Sequence, residues 1–87
     1  MSEKLYICPI CGYPGLKEPA WGNDGKSPTF EICPCCGCEF GYEDARHEGA
    51  KEFRKRWIAT GGKWHDPTLK PKNWDMKQQL KNINIEI

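Results

Sequence analysis

Long apolar runs are missing from this 87-residue chain. None approaches the ~20 consecutive apolar residues that span a bilayer, and Met1-Ser2-Glu3-Lys4-Leu5-Tyr6 has no apolar core of a secretory leader. These absences predict a soluble, cytoplasmic protein without a membrane partner. There is no low-complexity tract, and nothing repeats except one short cysteine phrase. Histidine is scarce: His47 and His65 stand alone, without the spacing of a known ligand set, so packing or solvent-facing roles are expected rather than a second metal site or a general base. Excess charge of one sign is also lacking, the net being only +1. That balance hides an asymmetry, because residues 1–45 hold three lysines and seven acids, whereas residues 46–87 hold ten basic and five acidic side chains. Such a split can steer the basic half toward an anionic partner, or draw the two halves together.

What the chain does have is aromatics and cysteine. Four Trp, three Tyr and three Phe are too many for a disordered chain, which would lack the apolar area to offset its ordering entropy. The six cysteines are grouped. Cys8-Pro9-Ile10-Cys11-Gly12 and Cys33-Pro34-Cys35-Cys36-Gly37 are two copies of a Cys-Pro-x-Cys-Gly knuckle. The proline directs the chain after the first thiolate, and the glycine permits the backbone turn after the second, so both sulfurs can face one ion. Four such sulfurs complete the tetrahedral shell of a structural zinc site. Three disulfides of a secreted miniprotein are the competing use of six cysteines, but no leader supports them, and tight Cys-x-x-Cys turns suit a metal better. A single small domain buries a modest core, so a metal is a plausible source of added stability.

Cys8, Cys11, Cys33 and Cys36 are therefore the expected metal ligands, and Cys35 and Cys38 are surplus. Pairing Cys35 with Cys38 is conceivable, yet only Cys33 with Cys36 reproduces the Pro and Gly of the first knuckle. The extra thiols read as small buried groups beside the site, with redox sensing or metal exchange as the sharper alternative. Four thiolates leave no open coordination position, so Lewis-acid catalysis is not expected and the protein reads as non-enzymatic.

Leu5-Tyr6-Ile7 and Thr29-Phe30-Glu31-Ile32 precede the knuckles as short strands would, and Glu39-Phe40-Gly41-Tyr42 continues after the second. Residues 13–28 between them are rich in Pro and Gly, with Asp24-Gly25 as a hairpin turn. From Glu43 and Asp44 the pattern turns helical: Ala50, Phe53 and Trp57 lie three and four apart, predicting a helix over about 44–60 that ends at Gly61-Gly62. Pro67 and Pro71 mark a connector anchored by Trp64. Asp75 then caps a last short helix, with Gln78 at capping-box spacing and Met76, Leu80 and Ile83 as its apolar face. The expected fold is a small metal-bound α+β unit: a zinc ribbon of short antiparallel strands over 1–43, and a helical extension of two α-helices over 44–87 packed on it.

Trp57, Trp64 and Trp74 with Phe53 suffice for a miniature core. If exposed, Trp64 or Trp74 would instead anchor a protein partner, together with Arg54, Lys55 and Arg56. The same basic run, with Lys51, Lys63, Lys70, Lys72, Lys77 and Lys81, could contact nucleic-acid phosphates, but Glu48 and Glu52 interrupt it and no recognition-helix pattern is present.

Tyr6-Ile7-Cys8-Pro9-Ile10-Cys11-Gly12-Tyr13 and Ile32-Cys33-Pro34-Cys35-Cys36-Gly37 resemble the two iron-binding knuckles of rubredoxins. That resemblance implies one-electron transfer on iron, and is confined to the front half. Tyr6-Ile7-Cys8-Pro9, then Phe30-Glu31-Ile32-Cys33-Pro34-Cys35-Cys36-Gly37 and Phe40-Gly41, resemble more closely a family of small bacterial cysteine-rich proteins named for the Cys-Pro-Cys-Cys phrase. This second resemblance implies a zinc ribbon with one structural Zn2+. Some members sit with the immunity genes of bacterial toxin systems, which implies a toxin-binding antidote. The expectation is a protein-binding module, with nucleic-acid binding and electron transfer as rivals.

Overall fold

The computed structural model describes residues 4–87. Among them the regular elements all lie in the second half: α1 (His47–Ala59), a 3-10 turn (Pro67–Leu69), α2 (Met76–Leu80) and a 3-10 turn (Lys81–Ile83). The front half is built from knuckles and turns. The expected strands contract to two isolated antiparallel bridges, Tyr6 with Leu16 and Ile32 with Glu39. The first ladder stops because its next paired position falls on Pro14, which has no N–H to donate. The Cys8 amide reaches Tyr13 O instead, at 2.8 Å. The second stops because Phe30 takes a left-handed φ of 58°, which bends the chain out of any strand.

Helix α1 begins three residues later than the acidic pair suggests. Asp44 is buried and faces inward, accepting from Trp21 Nε1–H at 2.8 Å and from the Gly41 amide at 2.7 Å. It ties the loop of residues 13–28 to the knuckle region rather than capping a helix, and Arg46 at the N-cap makes no side-chain cap. The other end agrees with the sequence: Gly61 and Gly62 have φ of 82° and 77°, and the Gly62 amide closes on Trp57 O at 3.1 Å. In α2, Asp75 caps as expected, accepting from the amides of Lys77 and Gln78. Leu80 is fully buried, with Met76 and Ile83 packed partly against the core. In the loop, Asp24 folds the tip by accepting from the amides of Lys26 and Ser27, and the loop closes where the Thr29 amide meets Ala20 O.

The core joins cysteines to aromatics. Cys8, Cys11, Cys33, Cys35, Cys36 and Cys38 are all buried, together with Ile10, Phe40, Trp57, Trp64 and Leu80. Tyr13, Trp64, Trp74 and Trp57 pack edge to face in series, with ring centroids 5.7, 5.5 and 6.1 Å apart.

Candidate metal centre

The two knuckles have the same hydrogen bonds. In the first, the Gly12 amide donates to Cys8 O at 2.9 Å and the Cys8 amide to Tyr13 O; in the second, Gly37 donates to Cys33 O at 2.9 Å and Cys33 to Cys38 O. Gly12 and Gly37 have φ of 84° and 80°, which a side chain would strain. The Ile10 amide also points at Cys8 Sγ, 3.4 Å away.

Turned this way, the sulfurs of Cys8, Cys11, Cys33 and Cys36 all lie within 4.8 Å of one another, and every one is buried. Cys8 and Cys36 are 3.9 Å apart and Cys11 and Cys33 are 3.7 Å apart. A tetrahedral cation with metal–sulfur bonds of ~2.3 Å holds its sulfurs ~3.8 Å apart, so the set fits a single such ion. All six cysteines are free thiols. Contact among them splits their titration: hydrogen bonding with Cys33 first, then with Cys35, Cys36 and Cys8, pushes the Cys11 thiol far up, while the contact with Cys11 pulls Cys33 down. Four negative sulfurs cannot share so small a volume without a cation between them. Among the described residues no other group of three His, Cys, Asp or Glu side chains converges in this way.

The outer cage comes from the second half of the chain. Arg54 on α1 donates through Nε to Ile10 O at 2.7 Å and through its Nη2 to Pro9 O at 2.9 Å. Gln79 on α2 donates to Cys11 O at 3.0 Å, and Asn82 donates to Gly12 O at 2.9 Å. On the second knuckle the backbone amides of His65 and Asp66 donate to Cys35 O and Pro34 O, at 3.0 and 2.8 Å. Four carbonyls of the first knuckle and two of the second are thus covered from outside the turn, which holds the sulfurs in place. Gln79 also accepts from Trp74 Nε1–H at 2.8 Å, linking the aromatic series to the knuckle. Sequence reasoning missed Gln79, Asn82 and the amides of residues 65–66. Arg54 had one legible sign, a position four residues after Ala50 on the apolar side of α1.

The chain is 36% identical over 98 residues to YoaQ of Bacillus subtilis strain 168, covering 97% of this chain and 78% of that relative. It is 35% identical over 94 residues to YozI of the same strain, covering 91% of this chain and 73% of the relative. The chain belongs to the YozI and YoaQ family. Both relatives are uncharacterized proteins. No family model matches this member, and no solved structure matches it.

The remaining candidate residues divide. In this YozI/YoaQ-family chain Cys35 and Cys38 lie outside the four-sulfur group yet are fully buried. The Cys35 sulfur accepts from Gln79 Nε2 at 3.3 Å, and contact with Cys11 followed by that bond pulls its thiol down. Burial, reinforced by the charge of Asp44, pushes the Cys38 thiol up. His47 and His65 are exposed and join no such group. Trp64 is 5% exposed and Trp74 is half-buried in the aromatic series, so the docking role for these indoles gives way to a core role. Arg54 is likewise committed internally, whereas Lys55 and Arg56 are exposed. No helix among the described residues is long and apolar enough to cross a membrane.

Proposed function

We propose that the chain is a non-enzymatic zinc ribbon, its single Zn2+ held by Cys8, Cys11, Cys33 and Cys36, and that it acts by binding another protein. The observation that carries the reading is the closed, buried four-sulfur shell: a cation there has no free position for water or substrate, and so serves the fold. The partner reading is supported by the apolar side chains left outside the core. Leu5, Ile7, Phe30, Ile32 and Tyr42 are all exposed, Tyr42 at 75%. A chain that buries Trp57 and Trp64 while presenting these has apolar surface to offer a partner. Antidote binding to an intracellular toxin, which the resemblance to the Cys-Pro-Cys-Cys family implies, is the most concrete form of the proposal.

Two measurements test it. Elemental analysis of protein from iron-replete cells should give one zinc per chain, and chelation should abolish the near-ultraviolet circular dichroism of the tryptophans. Retention of that signal in the metal-free protein would defeat the structural-zinc reading. Capture from the native host should recover a defined protein, and recovery of nucleic acid alone, with steep salt dependence, would replace the partner. The sulfur spacing suits iron as well as zinc. A red protein with a reversible one-electron couple would establish the rubredoxin-like alternative.

A further inference from the structure

Beside the second knuckle lies a cleft of about 550 Å3 between the end of α1 and the connector. Its walls carry Phe53, Trp57 and Trp64, and its rim carries Arg56, Lys63 and His65. The single acidic side chain lining it, Glu43, is partly engaged, since its Oε1 accepts from the Glu39 amide at 3.2 Å. Two permanent cations therefore face one carboxylate, which keeps its charge while accepting a single amide, and Cys36 of the four-sulfur set also lines the cleft. Three carbonyls at the end of α1, which would repel an anion, are covered: Arg56 O accepts from Thr60, Trp57 O from Gly62 and Thr60, and Ile58 O from Gly61. The cleft thus carries two cationic side chains to one carboxylate and is lined with aromatic carbon.

From this complementarity we infer that the cleft takes an acidic side chain of the partner against Arg56 and Lys63 and a neighbouring apolar side chain against Phe53. This deepens the protein-binding reading and rests on it. Nucleic acid fits less well, because the whole chain is only +1 and the cations ring a pocket rather than track along a strand.

The test is titration of the zinc-loaded protein with capped peptides in which an acidic residue precedes a phenylalanine, a tryptophan or a leucine, following the fluorescence of Trp57 and Trp64. At least one should give a saturable change that its amide counterpart, with Gln or Asn for the acid, does not. Arg56→Ala and Lys63→Ala should each weaken it about tenfold, the scale of one charge-assisted hydrogen bond. Both side chains are exposed, and unchanged zinc content and circular dichroism would show the variants folded; Arg56→Gln serves if Arg56→Ala is not. No binding by any peptide, equal binding by the amide forms, equal competition by inorganic phosphate, or tighter binding of a single-stranded oligonucleotide each overturns the inference. A host partner held equally well by the Arg56→Ala/Lys63→Ala double variant removes the cleft but leaves the protein-binding reading standing. Failure to capture any protein removes both.

Discussion

Gly12 shows how much one residue can carry in so small a structure. It needs a left-handed backbone to turn the first knuckle, and a Cβ there would collide with the carbonyl oxygen of Gln79 on α2. Gly25 has a similar φ of 71° but no atom within 4 Å of its Cβ position. Gly25→Ala should therefore cost only the conformational term, about 1 kcal/mol, whereas Gly12→Ala adds a backbone clash and should cost about 3 kcal/mol or more. Thermal unfolding of the two zinc-loaded variants measures the difference, and equal losses would mean α2 does not press on the knuckle. Gln79 separates donor from acceptor roles. Gln79→Glu preserves an acceptor for Trp74 but sets a carboxylate against Cys11 O and the Cys35 sulfur, both of which now receive an N–H. It should destabilise more than Gln79→Ala, itself expected to cost about 1–3 kcal/mol for the partners left unpaired.

At the scale of the element, α2 is too short to be helical by itself, having five residues. It forms because Asp75 gives the Lys77 and Gln78 amides an acceptor and because Leu80 is fully buried in the core that includes the cysteines. Asp75→Ala should cost about 1 kcal/mol, read as a melting temperature lower by roughly 4–8 °C for a domain of this size. If the melting temperature is unmoved, packing alone holds α2. The cap and the glycine stop of α1 were legible in the sequence because both act on amides and carbonyls a few residues away. The start of α1 was not. Asp44 has the chemistry of a helix start, but the partly buried Trp21 indole, distant in sequence, competes for its carboxylate and wins.

For the whole molecule, metal binding and folding should be one equilibrium. Front-half backbone pairing is limited to isolated bridges, and the knuckles are braced by side chains from the far end of the chain, so neither half has much to stand on alone. Apparent stability should rise with the logarithm of free zinc. It should fall as pH drops, since binding requires thiolates and protons compete for the same sulfurs. Melting temperature recorded across zinc-buffered solutions at several pH values checks both. Independence from zinc would mean that the aromatic series alone carries the fold.

The sequence by itself determined the two knuckles, their Cys33–Cys36 register and the four-sulfur set, along with the glycine end of α1 and the Asp75 cap. All of these follow from residue identities within one turn, where proline, glycine and a short polar side chain act directly on adjacent backbone. Tertiary structure alone decided that Arg54 braces a knuckle, that Trp64 is core, and that the expected strands shrink to bridges. The contacts responsible join positions 44, 68 and 70 residues apart, for Arg54 with Ile10, Gln79 with Cys11 and Asn82 with Gly12. Whether a donor faces solvent or a buried carbonyl depends on which distant segment the packed core brings beside it, and no local pattern encodes that.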